Sequence, residues 1–343
     1  MAITFAPSGN VSAPEPSCRS TTHRDGDVPE EQAVSVIVPS FNHARFIGRC
    51  LRSIIRQTHR PLELIVIDDG SEDDSVRTIE QELKDCPFSS ELVARNHKGL
   101  AQTLNEGLKR SRGKYFAYLG SDDVWLRGFL ESRVKLLESR SNAVLAYGHC
   151  FVINEDDEIL ECTKDWVTYD DGCAREMLLN VTVPFSPSVV YRRHILERHC
   201  WSEEARLEDY NLYLRLCGEG EFALDEGVLS AWRSHGNNNS RDVKFMLNEC
   251  LEAQRGAVRT LNLTPKEIEN ANARLKWLYG GDLIKAGQKR EGMELLCFNL
   301  KGAPSYRSIA RMMGLLVVPA PILRWRKQHM HRHNAQVYGS LEV

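Results

Sequence analysis

The chain has 343 residues, 42% of them hydrophobic and 27% charged, with a formal net charge of −3. That length holds one large α/β domain with an appendage, or two ordinary domains, so core size is not limiting. The balanced charge carries no global signature of nucleic-acid binding, and no stretch reaches the roughly 20 apolar residues a membrane span needs.

Met1 to about Gln32 mixes Pro, Ser, Thr and charged residues without the basic-then-apolar order of a signal peptide, and residues 1–33 are expected to form a disordered tail. The ten cysteines are scattered singly, as at Cys50, Cys86, Cys150, Cys173 and Cys217, with no CxxC pair and no clustered Cys/His spacing of the zinc-binding kind. They read as reduced thiols, which fits the cytoplasm better than an oxidising compartment.

At Val34 the pattern changes. Val34 to Val38 predicts a buried strand closed by Pro39, and Ser40-Phe41-Asn42 is an N-cap-like start. Between Ala44 and Gln57, Phe46, Ile47, Cys50, Leu51, Ile54 and Ile55 form one apolar stripe, predicting an amphipathic helix. Leu62 to Ile67 predicts a second strand ending in Asp68-Asp69-Gly70-Ser71, with a helix from about Asp74 to Leu83. Glu91 to Ala94 reads as a weaker strand, Gly99 to Arg110 as a helix, and Lys114 to Leu119 as a strand ending in Gly120-Ser121-Asp122-Asp123. This alternation implies a mostly parallel sheet with right-handed crossovers. Ligands of such sheets bind at the carboxyl ends of the strands, where both acidic clusters fall.

Beyond Trp125 the pattern predicts a helix to about Glu138, a strand near Val144 to Ile153, a helix near Ala174 to Asn180 and an extended run through Tyr191. A helix beginning near Leu207 carries Glu208 and Asp209 in its first turn, and a strand from Gly227 to Trp232 ends in Arg233-Ser234-His235. After Asn237 long helical segments take over. The expected organisation is therefore a catalytic domain over 34–240 and a helical region over 241–343.

Four constellations can carry chemistry. A carboxylate of Asp68-Asp69 at a strand end can accept from a base N–H or a ribose hydroxyl, although acidic turns after strands are common. Asp122 and Asp123 offer hard oxygen ligands for Mg²⁺ or Mn²⁺, which take part of their shell from one or two carboxylates and part from substrate phosphates. Glu208 or Asp209 can serve as a general base, or be dipole-favoured acids at a helix N-terminus. Arg233 and His235 can bind phosphate or complete a metal shell, or sit satisfied at the surface. A dinucleotide-binding oxidoreductase is disfavoured, because Pro39-Ser40-Phe41-Asn42-His43 stands where a GxGxxG turn would follow the first strand.

The order of these pieces resembles glycosyltransferase family 2, whose fold is GT-A. The carrying segments are Val36 to Asn42, Leu64 to Ser71, Gly99 with Asn105, Gly113-Lys114-Tyr115, Ser121 to Trp125, Leu207 to Tyr210, and Arg233-Ser234-His235. The resemblance implies an inverting, metal-dependent transferase taking a nucleotide-diphospho-sugar donor, UDP- or dTDP-linked, to a glycan or lipid-linked acceptor in surface-polysaccharide assembly. It implies that Pro39, Ser40 and Phe41 line the base pocket, that Asp69 contacts the base, and that Asp122 contacts ribose or donor sugar. Asp123 matches the metal ligand, with His235 as a further one, Arg233 a donor contact, and Asp209 the catalytic base with Glu208 its rival. Many relatives carry Asp where this chain has Gly120, which bears on the donor-sugar contacts. A catalytically inactive nucleotide-sugar or glycan binding module is the alternative reading.

Trp166, Tyr169 and Phe185 are candidates to stack on a sugar ring, or belong to the core. From Lys301 to Val343 seven Lys or Arg face one acid, Glu342, for a local charge of +6. Ile309, Met312, Met313, Leu315 and Leu316 are interspersed with them, as in a segment lying on an anionic membrane surface at the inner face of the cell membrane, or in a helix packed on the catalytic domain with a solvated basic face.

Overall fold

The computed structural model describes residues 18–21, 32–236 and 242–341. Most of the expected N-terminal tail and the boundary near residue 240 lie outside the described residues, and the described part of the tail, Cys18–Thr21, is a strand rather than disordered.

In chain order the described elements are β1 (Cys18–Thr21), β2 (Val34–Ser40), α1 (Ala44–Ile55), β3 (Glu63–Asp68), α2 (Ser75–Leu83), β4 (Ser89–Ala94), α3 (Leu100–Arg110), β5 (Tyr115–Tyr118), β6 (Val124–Trp125) and α4 (Phe129–Ser139). They continue with β7 (Ala143–Ile153), β8 (Ile159–Cys162), α5 (Arg175–Leu179), β9 (Val190–Arg192), α6 (Arg193–Arg198), α7 (Glu208–Leu216) and β10 (Glu221–Arg233). The helices α8 (Val243–Thr260), α9 (Pro265–Lys285), α10 (Lys289–Phe298), α11 (Tyr306–Val317) and α12 (Ala320–Tyr338) complete the chain.

Alternation along β2 shows why this sheet is buried on both faces. Val34, Val36 and Val38 pack with Leu64 and Val66 of β3 against α1, α2 and α4, while Ile37 and Ile65 face the opposite core with α3. The strand order β1-β4-β3-β2-β5-β9-β7-β10-β6 puts β2 and β5 side by side at the point where the order reverses. The pairs β4–β3, β3–β2 and β2–β5 are parallel, as the alternation predicts. The second half is mixed. Strand β9 runs antiparallel between β5 and β7, β10 is parallel to β7, and β6 closes the edge antiparallel to β10.

Strand β10 is longer than the predicted Gly227 to Trp232. Its register against β7 slips near Asp225 and Val228, so a bulge blurs the two-residue periodicity there. Beneath it, fully buried Arg133 of α4 pairs with Asp225 and donates through Nε to the Ser188 carbonyl at 3.1 Å.

The C-terminal helices pack on the sheet domain. In α8, Gln254 donates to the Leu179 carbonyl at 3.1 Å and the Tyr210 hydroxyl at 3.0 Å. Helix α9 opens with a complete capping box, in which Thr264 and Glu267 exchange hydrogen bonds ahead of Pro265. Helices α9 and α10 approach closely because both present glycine: a Cβ at Gly292 would stand 2.6 Å from the Gly280 carbonyl oxygen. Replacing Gly292 with Ala adds about 1 kcal/mol of helix propensity but overpacks this crossing, and overpacking costs about 1–3 kcal/mol. The expected outcome is a net loss of stability, read as a lower urea midpoint at unchanged denaturant slope.

Candidate active site

Loops leaving the carboxyl ends of β2, β5 and β10 converge beside the reversal of strand order, where an open α/β sheet leaves a crevice. The loop after β2 is held by the loop after β3. Asn42 adopts a left-handed φ of 54°, which asparagine tolerates better than most residues. Its N–H donates to Ser71 Oγ and its Oδ1 accepts from the Glu72 N–H, each at 2.8 Å. The first N–H groups of α1 are also served from there: His43 donates to Ser75 Oγ and Ala44 to Asp73 Oδ2, each at 3.0 Å. The cap expected within Ser40-Phe41-Asn42 is therefore unused. His43 occupies the N-cap without a side-chain cap, and buried Ser40 donates to Asp68 Oδ2 at 3.0 Å.

His43 is thereby placed against the loop after β5. Its Nδ1 lies 2.8 Å from Ser121 Oγ and 3.8 Å from Asp122 Oδ1. Asp122 Oδ2 meets His235 Nε2 at 2.9 Å, and one ligand atom from each of His43, Asp122 and His235 lies within 4.8 Å of the others. Phe46 of α1 packs against both imidazoles, at ring distances of 6.2 Å from His43 and 5.5 Å from His235. Burial would raise the Asp122 carboxyl, but the hydrogen bond from His235 and the charge of His43 outweigh it and hold the group below the usual carboxylate range. Burial also lowers the His43 imidazole, which keeps a lone pair free for a metal.

Asp123 takes a different partner. It is buried and accepts the Arg233 backbone N–H on Oδ1 at 2.8 Å, and burial followed by the adjacent Asp122 charge pushes its carboxyl well up. The carboxylate beside His235 is Asp122, while the resemblance implied Asp123 for the metal; the two remain close, since a Cβ at Gly120 would stand 2.9 Å from Asp122 Oδ1 and 3.0 Å from Asp123 Oδ2. Arg233 also departs from expectation. Its guanidinium is 1% exposed and donates to the Asp122 carbonyl at 2.7 Å, the Asn154 carbonyl at 2.6 Å and Asp157 Oδ1 at 2.6 Å, while lying 4.8 Å over the Phe46 ring. It braces the loops and does not project toward a donor phosphate.

Asp69 is similarly occupied. Its carboxylate takes Arg95 at 2.6 Å, His97 at 3.0 Å, the Lys98 N–H at 3.0 Å and the Gly99 N–H at 2.7 Å. It organises the 95–99 loop, and a base reaching it must displace one of these donors. Of Pro39, Ser40 and Phe41, only Phe41 is open, 42% exposed with its ring 4.5 Å from that of His97; Pro39 is half-buried in the strand.

The second acidic pair stands on the first turn of α7. Asp209 Oδ1 accepts from the Tyr118 hydroxyl at 2.5 Å and from Trp201 Nε1 at 3.5 Å. Burial raises its carboxyl to about 6, with Tyr118, Trp201 and Ser186 pulling against that rise. Glu208 is pushed to about 8, by burial first and the charge of Asp209 second. The two face different spaces. Asp209 lines a cavity of about 630 Å³ with Trp166, Phe185, Trp232, Leu278 and Tyr279. Glu208 lines another, of about 750 Å³, with Lys98, Arg206 and Phe245. Tyr169 is core, with its hydroxyl 3.3 Å from the Val183 carbonyl. Tyr118 ends β5 and precedes Asp122 by four residues, so the Cα atoms of Tyr118 and Asp122 are at most about 14 Å apart.

His43, Phe46, Tyr118, Trp201 and Trp232 are the residues that sequence reasoning did not place here. For His43 a signal existed, an imidazole directly after a strand-end loop; the others carry none, because aromatic residues in strands and helices read as core.

Comparison with known proteins fits this geometry. Residues 35–200 match the model of Glycosyl transferase family 2. The chain is 32% identical over 198 residues to the UDP-Glc:alpha-D-GlcNAc-diphosphoundecaprenol beta-1,3-glucosyltransferase WfgD of Escherichia coli, covering 55% of this chain and 75% of that protein. With the first curated relatives it matches, the chain spans only 36% to 52% of their length. Among solved structures it is similar to the mannosyltransferase PcManGT from Pyrobaculum calidifontis in complex with GDP-Man and Mn²⁺, with a TM-score of 0.59, 18% identity, and coverage of 89% of this chain and 86% of that one. It is also similar to residues 1–349 of TarS from S. aureus in complex with UDP-GlcNAc, with a TM-score of 0.56, 14% identity, and coverage of 89% and 91%. The mixed sheet flanked by helices is the GT-A fold of these structures.

The donor set gives a direct test. Losing a hydrogen bond behind a metal ligand commonly costs about 10–100-fold in affinity, and losing a ligand should exceed that. With Mn²⁺ as the probe, Asp122→Ala and His235→Ala are each expected to weaken divalent-cation binding in calorimetric titration by more than about 100-fold.

Proposed function

The chain belongs to glycosyltransferase family 2, and on that footing we propose that it transfers a sugar, with inversion, from a nucleotide-diphosphate donor to a hydroxyl of a growing glycan or lipid-linked acceptor. The observation that carries this reading is the Tyr118–Asp209 hydrogen bond, which ties a buried carboxylate to the strand leading into the His43–Asp122–His235 cluster. A base and an anion-handling site are then carried by the same strand and the loop that follows it.

Two imidazoles with one carboxylate favour Mn²⁺ over Mg²⁺, which prefers oxygen ligands. A cation held by His43, Asp122 and His235 would neutralise charge on the departing diphosphate. The protein's own groups do the rest. Asp209 accepts the proton of the acceptor hydroxyl as that oxygen attacks the anomeric carbon and the bond to the diphosphate breaks on the opposite face, which inverts the centre. Tyr118 and Trp201 orient the carboxylate. Glu208, pushed to about 8, is mostly protonated at neutral pH and adds no second charge beside the base. Trp166, Phe185 and Trp232 wall the same cavity and suit the apolar face of a sugar ring, which supports a saccharide acceptor. Phe41 and His97 form an exposed ring pair able to stack on a nucleobase. UDP is the favoured nucleotide, since WfgD is named for UDP-Glc. Unpaired cysteines such as Cys50, Cys86 and Cys150 support a cytoplasmic reaction.

The test is release of nucleoside diphosphate from a panel of UDP-, dTDP- and GDP-sugars, with Mn²⁺ or a chelator. Metal-dependent release confined to one donor supports the reading; donor binding without turnover over a broad acceptor panel would move the protein to a binding module. Asp209→Asn is expected to lower transfer about 10²- to 10⁴-fold with donor affinity retained.

The pH profile follows from the same carboxylate. A base must be unprotonated, so kcat/KM should fall as pH drops through about 6. The Tyr118 hydroxyl stabilises the ionised form, so Tyr118→Phe should move that acid limb to higher pH.

A further inference from the structure

We propose that the elbow between α11 and α12 docks on an anionic membrane surface, with lipid headgroups as the partner. On α11, Tyr306, Met313 and Val317 share one face and are 90%, 59% and 81% exposed. Exposed Arg307 and Arg311 lie together on one side of that face. The other side of the helix, through Ile309, Met312 and Leu316, is packed with Trp277, Ile284 and Leu296. Past the bend, Ile322 and Trp325 are exposed one turn apart, with exposed Arg326 and Lys327 beside them.

The elbow is a built feature. Lys289 Nζ donates to the carbonyls of Leu316 and Val318, each at 2.6 Å, answering groups that the end of α11 would otherwise leave open. The far half of α12 is held to the sheet domain by His331–Glu161 at 3.0 Å, Asn334 to the Leu160 carbonyl at 2.7 Å, and Tyr338–Asp165 at 2.8 Å.

Among the described residues no single helix is long and apolar enough to cross a membrane, and α11 and α12 together are bent by 115°. An apolar ridge with cations beside it suits the headgroup boundary, where each basic residue near an anionic surface contributes about fivefold in partitioning. No acid occurs between residues 303 and 341, so a second copy seated on this face would set cations against cations. Helix α9, which carries α11 on Trp277 and Ile284, also presents Leu278 and Tyr279 to the Asp209 cavity. Docking by the elbow therefore brings that cavity near the bilayer, where a lipid-linked acceptor would be presented. The placement of the acceptor rests on the transferase reading; the docking itself does not.

Binding of the full chain to phosphatidylcholine vesicles, with and without phosphatidylglycerol, tests it in the absence of donor. The expected result is salt-sensitive binding to the anionic vesicles, weakened roughly 30-fold by Arg307→Gln with Arg311→Gln and reduced by Val317→Ser with Trp325→Ser. Because all four side chains are exposed, both double variants should keep the wild-type thermal midpoint and nucleotide-sugar turnover. Absence of wild-type binding to anionic vesicles, or binding that neither double variant weakens, would overturn the proposal. So would light scattering that finds a wild-type dimer converted by these variants into monomers, since the occupant would then be a second copy. Absence of wild-type turnover with docking intact would count against the transferase reading alone.

Discussion

A buried guanidinium stays charged, so Arg233 must find an acceptor for each donor it carries inward, and the site is built around that demand. It satisfies the carbonyls of Asp122 and Asn154 and the carboxylate of Asp157, and its own N–H is received by Asp123. The end of β10, the loop after β5 and the turn after β7 are thus fixed to one another. Phe46 fills the space beneath, touching the guanidinium and both imidazoles. Only with this brace in place do Asp122 and His235, remote in sequence, stand 2.9 Å apart.

Three of the chain's adjacent acid pairs are candidates for the site, and each of these divides its labour. In Asp68-Asp69, the first ties Ser40 to Ser71 and the second organises the 95–99 loop. In Asp122-Asp123, the first meets the histidines and the second is the buried acceptor behind them. In Glu208-Asp209, the two line separate cavities. Like charges this close penalise each other where water is excluded, and the inner member of the second pair and both members of the third are pushed upward for that reason or by burial itself. Such upward shifts suit a group that must take up a proton.

The helices after residue 242 form part of the working surface. Met246 and Cys250 of α8 and Leu278 and Tyr279 of α9 close the side of the Asp209 cavity that the sheet leaves open. The Asp209 cavity is thus shaped jointly by the sheet domain and the helical region, while the outer face of the same helices carries the basic, apolar elbow.

The sequence by itself determined the βα alternation, the positions of both acidic clusters at strand ends and the amphipathic helices, because these depend on local periodicity and turn chemistry. It also placed Asp209 on a helix start and His235 after a strand. It did not determine the antiparallel insertion of β9, since three residues carry no periodicity, nor the true length of β10, where the bulge breaks alternation. Which member of each acidic pair faces the cleft was decided only by tertiary structure. Direction depends on what stands opposite: the Arg233 N–H draws Asp123 inward, the two imidazoles receive Asp122, and the Tyr118 hydroxyl, about ninety residues upstream in the chain, claims Asp209. Arg233 read as a donor-binding cation because its charge is visible in sequence and its burial is not.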